Sequence, residues 1–393
     1  MAAMTLPPCH IKTPLIKSEP LSKLHAPHNI YFKLDLQQPS GSFKIRGVGA
    51  KVRSIAETNL KNKNNPDPSS QFAGCVCSSG GNAGLACAKA CAEYNLKCKI
   101  ILPTTTPAFA VEKLKEMNPA VEVEIFGDVW NTANEKALKI VDAGIDGEQY
   151  AYVHPFQQPE LWEGHSTIVD EIVEQLPENG KNLGAIVTVC GGGGLARGII
   201  DGVQRHFGNK ANGSYSSTKK IGVFIGETHG ADSLYQALEK KEKVTLPGIT
   251  SIAKSLGSLQ AHSLYEYILE ESSSYKNDAV QVCSYRISDK DALSGVLQFK
   301  ADTGSLVEPA CGAGTFLAYG GSKEDSSKFD IICVGKNGEV RKVANDNEKT
   351  ALSKMLESAL GSSDEAKDIV IEICGGSMIS EELLDKWKTE FGL

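Results

Sequence analysis

The chain has 393 residues, which suits two or three modules better than one minimal domain, and its 41% apolar and 23% charged residues are typical of a globular protein. The formal net charge of -7, without a basic stripe, excludes nucleic-acid binding as the main task. The sequence has neither an apolar run of about 18 residues nor a charged, apolar leader, so we expect neither a membrane span nor a signal peptide.

Short apolar runs alternate with helical patterns through most of the chain. The strand-like runs lie at 74–79, 98–103, 121–126, 184–190, 220–226 and 368–374, and the helical patterns at 83–95, 108–117, 131–143, 160–176 and 195–207. β-branched runs separated by helices predict parallel sheets covered on both faces, so the fold class is α/β. Polar stretches at 62–70, 208–218 and 320–328 predict surface loops, and 335–349 predicts a further loop or a short hairpin.

Many of the eleven cysteines lie in apolar runs, among them Cys190, Cys333 and Cys374. This placement favours buried free thiols in a reducing compartment over a disulfide framework, and we expect a cytoplasmic protein. A zinc site is the alternative for five cysteines near one another in sequence. Their spacing lacks paired C-x2-C knuckles and disfavours that alternative. These five are Cys75, Cys77, Cys87, Cys91 and Cys98.

Residues 39–47 read Pro-Ser-Gly-Ser-Phe-Lys-Ile-Arg-Gly and follow the strand-like run YFKLDL at 31–36. Lys44 lies near a predicted helix start, where the helix dipole disfavours a positive charge. Phe43 and Ile45 on either side indicate partial desolvation, which would lower the pKa of this amine below the ordinary value of about 10.4. Such an amine is suited to Schiff-base formation, whereas the alternative is an ordinary surface lysine.

The string 39–47 resembles the cofactor-lysine motif of fold-type II pyridoxal-phosphate enzymes, in particular serine/threonine dehydratases. The resemblance implies two open, twisted, mostly parallel sheets covered by helices, as in the tryptophan synthase β chain. It also implies that Lys44 is catalytic and binds pyridoxal 5'-phosphate as a Schiff base, with Phe43 packed beside the pyridine ring.

Residues 78–84, Ser-Ser-Gly-Gly-Asn-Ala-Gly, stand between a predicted strand and a predicted helix. Ser and Asn are common helix caps, so a plain strand-to-helix turn explains them as well as a ligand site does. Backbone N–H groups at a helix start could also bind a carboxylate. The loop resembles the substrate loop of the dehydratases, which implies that Asn82 also reaches the ring hydroxyl of the cofactor. The implied carboxylate-binding residues are Ser79, Gly80, Gly81 and Asn82.

The stretch His154-Pro155-Phe156, ahead of 161–165, resembles a second wall of the same pocket. The resemblance implies that Phe156 contacts the substrate through its backbone. We interpret His165 as structural, because the implied chemistry needs no histidine.

Four consecutive glycines stand between the strand-like run 184–190 and a predicted helix. Ordering four glycines is entropically costly, and a tight turn alone would not require them all. A strand, a glycine loop and a helix N-terminus form the usual cradle for a phosphate. The dehydratases have such a loop around the phosphate of their cofactor, which implies cofactor-binding roles for Gly191, Gly192, Gly193, Gly194 and Leu195.

The same loop also fits the dinucleotide fingerprint G-x-G-x-x-A through Gly191, Gly193 and Ala196, with Glu227 as the ribose-binding acid. The spacing to Glu227 is about ten residues longer than that fingerprint expects. A dinucleotide interpretation also leaves Lys44 unexplained. A nucleotide-dependent oxidoreductase therefore stays an alternative of a different class.

Cys374 ends the run DIVIEIC and precedes Gly375-Gly376-Ser377. Its position in an apolar run, taken alone, indicates a buried structural thiol. The resemblance implies that it faces the pyridine nitrogen, where a neutral thiol protonates the ring poorly and favours elimination over racemisation or transamination. The chain departs from the family pattern at Met378, where Asn is commoner, and at Gly314-Thr315, which bears on substrate preference.

The stretch 227–231, Glu-Thr-His-Gly-Ala, resembles a monovalent-cation site of these enzymes. The resemblance implies that Glu227 supplies a carboxylate oxygen and Ala231 a backbone carbonyl to K⁺. Hard oxygen ligands suit such an ion, and a solvent-exposed strand end is the alternative.

On the resemblance we expect a large cofactor domain of residues 1–47 and 151–393, a small inserted domain of residues 48–150, and the active site in the cleft between them. The implied reaction eliminates water from L-serine to give pyruvate and ammonia, and from L-threonine to give 2-oxobutyrate and ammonia. We expect a homodimer. Because the sequence stops soon after Cys374, we expect no regulatory domain and a catabolic form.

Three further alternatives stay open. Serine racemase shares a similar lysine motif, but racemases offer a proton-donating serine where this chain has Gly80. Cysteine synthase and threonine synthase types fit Ser-Phe-Lys and Cys374 less well. A non-catalytic relative that binds amino acids would not need Lys44, Asn82 and Cys374 together.

Overall fold

The computed structural model describes residues 5–63, 65, 67, 70–208, 219–269, 279–320, 328–335, 338–344, 348–362 and 365–393. The predicted loops 208–218 and 320–328 lie almost entirely outside this part of the chain, and the loop 62–70 lies partly outside it. The described residues divide into two compact units. Unit 1 comprises Met1–Lys12 and Gln37–His165, and unit 2 comprises Thr13–Leu36 and Ser166–Leu393.

Unit 1 is wider than the predicted inserted domain, 48–150, because it also includes Met1–Lys12 and extends from Gln37 to His165. The helix that starts at Lys44 packs along the helix that starts at Asn82, so the predicted lysine belongs to the same unit as the predicted carboxylate loop.

A four-stranded, all-parallel sheet in the order β5-β4-β3-β6 forms the centre of unit 1. Its strands are β3 (Gly74–Cys77), β4 (Lys97–Leu102), β5 (Glu122–Ile125) and β6 (Tyr150–Tyr152). Its helices are α2 (Lys44–Lys61), α3 (Asn82–Glu93), α4 (Ala108–Met117), α5 (Trp130–Ala143) and the beginning of α6 (Pro159–Gln175).

The side-chain pattern of unit 1 explains this layering. Val76 and Ile101 point to one face of the sheet, where they form a buried cluster with Ala133, Ala137 and Ile140 of α5. Helix α3 packs on the same strands and has an apolar, small-residue composition with eight of its twelve positions buried. Burial of both sheet faces is what continuous apolar strands predict, so this part of the sequence analysis is confirmed.

An eight-stranded mixed sheet in the order β1-β2-β12-β7-β8-β9-β10-β11 forms the centre of unit 2. The run β2-β12-β7-β8-β9 is parallel, and the two edges are antiparallel. The strands are β1 (Leu15–Lys17), β2 (Asn29–Lys33), β7 (Leu183–Val189), β8 (Ile221–Thr228), β9 (Val280–Ile287), β10 (Asp330–Val334), β11 (Val340–Lys342) and β12 (Asp368–Glu372). The helices are α1 (Glu19–Leu24), the remainder of α6, α7 (Gly194–Phe207), α8 (Ser233–Lys240), α9 (His262–Leu269), α10 (Asp289–Thr303), α11 (Pro309–Tyr319), α12 (Ala351–Leu360) and α13 (Glu381–Phe391).

The central strands β7, β8 and β12 are buried along their whole length, which explains why they read as unbroken apolar runs. The pairing of β10 with β11 confirms the hairpin alternative for 335–349. The run 31–36 is only partly a strand, because β2 ends at Lys33 and the chain enters a 3-10 turn at Asp35. No helix within the described ranges is long and apolar enough to cross a membrane.

One prediction about the cysteines is wrong. Cys333 of β10 forms a disulfide bond with Cys283 of β9, whereas the sequence predicts a free thiol. The two residues are direct partners in an antiparallel register, with their Cα atoms 4.1 Å apart. The remaining nine cysteines are buried and free, as expected.

Candidate functional site

Lys44 is the first residue of α2, as the sequence predicts for a lysine at a helix start. The residues before it turn the chain sharply, with Gly41 in a left-handed conformation (φ 76°) and its N–H bonded to the carbonyl of Gln38. The half-buried Lys44 side chain donates a hydrogen bond from Nζ to the backbone carbonyl of Pro155 at 2.7 Å. The Phe43 ring lies beside the amine, with its centroid 5.1 Å from Nζ.

The segment around Pro155 is held in place by His154. Its Nδ1 accepts hydrogen bonds from the backbone N–H groups of Phe156 (3.1 Å) and Gln157 (3.0 Å). Burial, and then the positive charge of Lys44, lower the pKa of His154 to about 4, so the ring is a neutral acceptor near neutral pH. His154 therefore positions the carbonyl that receives the Lys44 amine. The sequence analysis missed this role, since nothing in the local pattern marks it.

The predicted carboxylate loop connects β3 to α3. The helix begins at Asn82, and its cap residue Gly81 is extended, so the first backbone N–H groups of α3 have no partner within the helix. The Ser79 hydroxyl accepts a weak hydrogen bond from the N–H of Gly81 at 3.3 Å. A Cβ atom on Gly84 would lie 1.8 Å from the Ser79 carbonyl, so the loop can fold onto the helix only because residue 84 is glycine.

The structure brings the predicted loop and the predicted wall to one edge of the sheet. Strands β3 and β6 are parallel neighbours, and the N–H of Val153 extends their pairing by donating to the Val76 carbonyl at 2.9 Å. Residues that follow the two strands, 78–82 and 154–156, therefore leave from the same carboxyl edge. In open α/β sheets this is the edge where ligands bind.

His165 belongs to unit 1 and is completely buried. Its ring packs against Phe43 with centroids 5.0 Å apart, and within the described residues neither ring nitrogen has a hydrogen-bond partner. Burial is the main cause that lowers its pKa well below the ordinary value. A neutral, packed ring agrees with the interpretation of His165 as structural.

In unit 2, the glycine loop connects β7 to α7. Gly193 caps the helix in a left-handed conformation (φ 86°) that other residues rarely adopt. A Cβ atom at this position would lie 2.7 Å from the Cβ of Leu264. The backbone is thus bare at the N-terminus of α7, where unpaired N–H groups and the helix dipole attract an anion.

Cys374 follows β12, which is the parallel neighbour of β7, so it lies at the same carboxyl edge as the glycine loop. Its Sγ is 2.7 Å from Sγ of Cys311, near the start of α11. The Cys311 contact and then burial raise the pKa of Cys374 well above its ordinary value, so the thiol is neutral. The sequence analysis missed Cys311, whose N–H···S bond from Gly375 (3.2 Å) brings together residues 64 positions apart.

Glu227, at the end of β8, is completely buried. Its carboxylate oxygens accept hydrogen bonds from the backbone N–H groups of Leu234 (3.0 Å) and Tyr235 (2.7 Å) at the beginning of α8. Burial raises its pKa well above the usual range. The structure excludes a solvent-exposed strand end and gives Glu227 a helix-capping role that the sequence did not reveal.

Comparisons with known proteins identify the family of the chain. A family model described as "Pyridoxal-phosphate dependent enzyme" matches residues 6–334. An L-serine dehydratase from Dictyostelium discoideum is 35% identical over 347 residues, which cover 85% of this chain and 90% of the relative. A mouse L-serine dehydratase/L-threonine deaminase is 34% identical over 389 residues, covering 98% and 96%.

Solved structures agree with the architecture. A fungal L-serine ammonia-lyase from Rhizomucor miehei superposes with a TM-score of 0.70 at 26% identity, covering 98% of this chain and 99% of the other. Maize serine racemase superposes with a TM-score of 0.67 at 19% identity, covering 98% and 94%, and supports the fold alone. The predicted α/β class of fold-type II is confirmed.

Proposed function

The chain belongs to the family of pyridoxal-phosphate dependent enzymes, and we propose that it converts L-serine to pyruvate and ammonia, and L-threonine to 2-oxobutyrate and ammonia, by elimination of the β-hydroxyl. The names of the relatives support this reaction. The observation that carries it is the Lys44 amine, which stands at a helix start with its Nζ held by the Pro155 carbonyl.

The residues present fit pyridoxal phosphate. Lys44 offers a primary amine for its aldehyde, and the bare loop at Gly193 offers backbone N–H groups for its phosphate. The neutral Cys374 thiol suits an unprotonated pyridine nitrogen. We assign cofactor binding to Phe43, Lys44, Asn82, Gly191, Gly192, Gly193, Gly194, Leu195 and Cys374.

When bound, the cofactor withdraws electrons from the α-carbon of the substrate. Lys44 would hold the cofactor through its Nζ at rest, and the same Nζ, free once the substrate is bound, would take the α-proton as general base. General base catalysis of this kind contributes about 10²–10⁴-fold. The β-hydroxyl leaves as water, and the released enamine hydrolyses to the 2-oxo acid and ammonia. This hydrolysis consumes one water molecule, so the net change is the loss of ammonia.

The loop after β3 binds the substrate carboxylate in this proposal. The first N–H groups of α3 face the carboxyl edge, where the helix dipole stabilises an anion by roughly 0.3–1 kcal/mol. The Phe156 backbone forms the other side, fixed by the His154 ring. We assign substrate binding to Ser79, Gly80, Gly81, Asn82 and Phe156.

Gly80 separates dehydration from racemisation. Racemisation needs a proton donor on the face opposite the lysine, and Gly80 has no side chain to supply one. Chiral chromatography of the reaction with L-serine tests this distinction. We expect pyruvate without accumulation of D-serine, whereas sustained D-serine formation would assign the chain to the racemases.

We propose that Glu227 and Ala231 bind K⁺. The Glu227 carboxylate is completely buried, and within the described residues its hydrogen-bond donors are the backbone N–H groups of Leu234 and Tyr235, so a cation would stabilise its charged form. Dialysis against Na⁺ should lower activity and the thermal midpoint, and adding K⁺ should restore both. Equal behaviour in the two salts would remove K⁺ from the proposal.

We further propose that the enzyme is a cytoplasmic homodimer, as expected from the sequence. Light scattering during gel filtration measures the mass in solution. A mass near twice the chain mass of 42.0 kDa supports the dimer.

The proposed function depends on one amine, so Lys44→Ala should abolish pyruvate release and the visible absorbance of the bound cofactor. Lys51→Ala is the matched control, because Lys51 lies on the same helix and pairs with Glu160 at 2.9 Å. Loss of such a partly exposed pair costs only about 0–1 kcal/mol. Turnover by Lys44→Ala at the wild-type rate would end the proposal.

A protein that binds L-serine without releasing pyruvate would be the non-catalytic relative, and binding of NAD would favour the oxidoreductase.

A further inference from the structure

Five cysteines of unit 1 converge on one face of its sheet. Cys75 and Cys77 are two residues apart on β3, so their side chains point to the same face. Cys98 of β4 is the direct cross-strand partner of Cys75. Three sulfur atoms from two adjacent strands therefore face the same covering helix.

That covering helix is α3, and it brings two more thiols. Cys87 and Cys91 are one turn apart on α3, on the face that packs against the sheet. The sulfur atoms of Cys87, Cys91 and Cys98 all lie within 4.8 Å of one another. Cys75 and Cys77 lie beside these three thiols, because they point to the same sheet face and Cys75 pairs directly with Cys98.

A core of ordinary buried cysteines is the simpler explanation, because a free cysteine packs as a small apolar residue. That explanation accounts for one or two thiols at an interface. It does not account for five at one point, contributed by three elements, where alanine or valine would fill the same space. All five are free and almost completely buried, with 2% exposure or less.

We propose that this thiol cluster (Cys75, Cys77, Cys87, Cys91 and Cys98) is a structural site for a soft cation, Zn²⁺. Cys87, Cys91 and Cys98 supply three ligands, and Cys75 or Cys77 supplies the fourth. A closed all-sulfur shell suits a structural zinc, and the spacing in sequence disfavoured it only because it lacks the usual knuckles. The site is distinct from the proposed cofactor and K⁺ residues.

The geometry requires a small contraction on binding. Tetrahedral zinc with Zn–S bonds of about 2.3 Å holds its sulfur atoms about 3.8 Å apart. The three central sulfur atoms therefore approach by up to about 1 Å. Each thiol that becomes a ligand releases its proton to solvent, and four Zn–S bonds form without a change in oxidation state.

The position of the thiol cluster indicates what the ion does. Cys77 is the last residue of β3, and Cys87 is in the second turn of α3, so the loop 78–82 leaves from and returns to elements that the ion would tie together. Zinc would therefore stiffen the loop that binds the substrate carboxylate in our proposed function. It would not touch the substrate.

The test uses the full chain with its cofactor, kept reduced and treated with a chelator. Titration with Co²⁺ should produce the d–d and thiolate charge-transfer bands of a tetrahedral sulfur site at one equivalent, and Zn²⁺ should displace them. Zn²⁺ alone should raise the thermal midpoint. The double variant Cys87→Ala/Cys91→Ala should lose the bands. Cys9→Ala is the matched control, because Cys9 is a buried thiol of the same unit outside the cluster, and it should keep them.

A second measurement does not depend on a variant that folds. The wild-type protein is alkylated with and without Zn²⁺ and analysed by mass spectrometry. Zn²⁺ should slow the modification of Cys87, Cys91 and Cys98 and leave the modification rate of Cys9 unchanged. Equal modification rates, or bands that persist in the double variant, would overturn the zinc site and leave the cluster as packing. Neither result depends on pyruvate release, so the proposed function can fail or hold independently.

Discussion

The loop after β3 and the loop after β7 have the same backbone arrangement but differ in the side chains that they carry. Both follow a buried parallel strand, both are rich in glycine, and both end at the N-terminus of a helix. The first carries hydroxyl and amide side chains at Ser79 and Asn82. The second carries no side chain from 191 to 194 and caps its helix with a left-handed glycine.

This difference matches the two anions we assign to them. A phosphate with several equivalent oxygens is bound well by a ring of backbone N–H groups, and side chains would only obstruct it. A substrate carboxylate must also be oriented so that its α-proton meets the lysine, and directed side-chain donors give that orientation. In our proposal the first loop therefore selects and positions the substrate, while the second loop anchors the phosphate of the cofactor.

The largest effect should come from filling the bare loop. Gly193→Ala introduces a methyl group at a left-handed position, which costs about 1–2 kcal/mol, and places it against Leu264. We expect cofactor affinity to fall by about 5- to 30-fold, as this energy implies, and the thermal midpoint to fall. Cofactor titration and thermal unfolding measure the two effects.

Gly248→Ala is the control for that experiment, because a Cβ atom at Gly248 would meet nothing within 4 Å. If both variants bind the cofactor with the affinity of the wild type, the second loop does not bind the phosphate of the cofactor.

An effect on substrate binding alone should follow from removing one donor of the first loop. Ser79→Ala should raise the KM for L-serine by about 10-fold, the value of a hydrogen bond to a charged group, and leave cofactor affinity unchanged. Ser78→Ala is the neighbouring control, since its hydroxyl bonds to Asn134 of α5 at 2.7 Å. A fall in cofactor affinity with unchanged KM would mean that Ser79 only braces the turn.

The smallest effect concerns His154, which lies in the pocket wall beside the first loop. It appears as a dependence of the stability of the fold on pH. Burial lowers the pKa of His154 to about 4, whereas an unfolded histidine titrates near 6.5, so the unfolded chain binds the proton more readily. Stability should therefore fall as pH decreases from about 6.5 towards about 4. His165, whose pKa is also lowered, acts in the same direction.

Thermal midpoints at several values of pH should decrease less steeply for His154→Asn than for the wild type. His229→Asn, at an exposed position of unit 2, should retain the wild-type slope. Equal slopes for all three proteins would show that His154 does not carry this dependence.

Local patterns predicted most of the elements because they depend on neighbouring residues. Unbroken apolar runs marked β7, β8 and β12, and the Ser-Phe-Lys string marked the start of α2. Strand β9 was missed, because its polar residues interrupt the apolar run although nearly all of them are buried. The roles of His154 and Cys311 were also missed, since each depends on a partner that the local sequence does not identify.

The sequence by itself determined the α/β class, the lysine at a helix start and the two glycine-rich loops, because backbone preference and apolar periodicity act over a few residues. Only the tertiary structure decided which strands are neighbours. That order pairs Cys283 with Cys333, places Cys374 beside the glycine loop and collects five thiols under α3. Contacts between distant residues are set by how whole elements pack, and no short stretch of sequence contains that information.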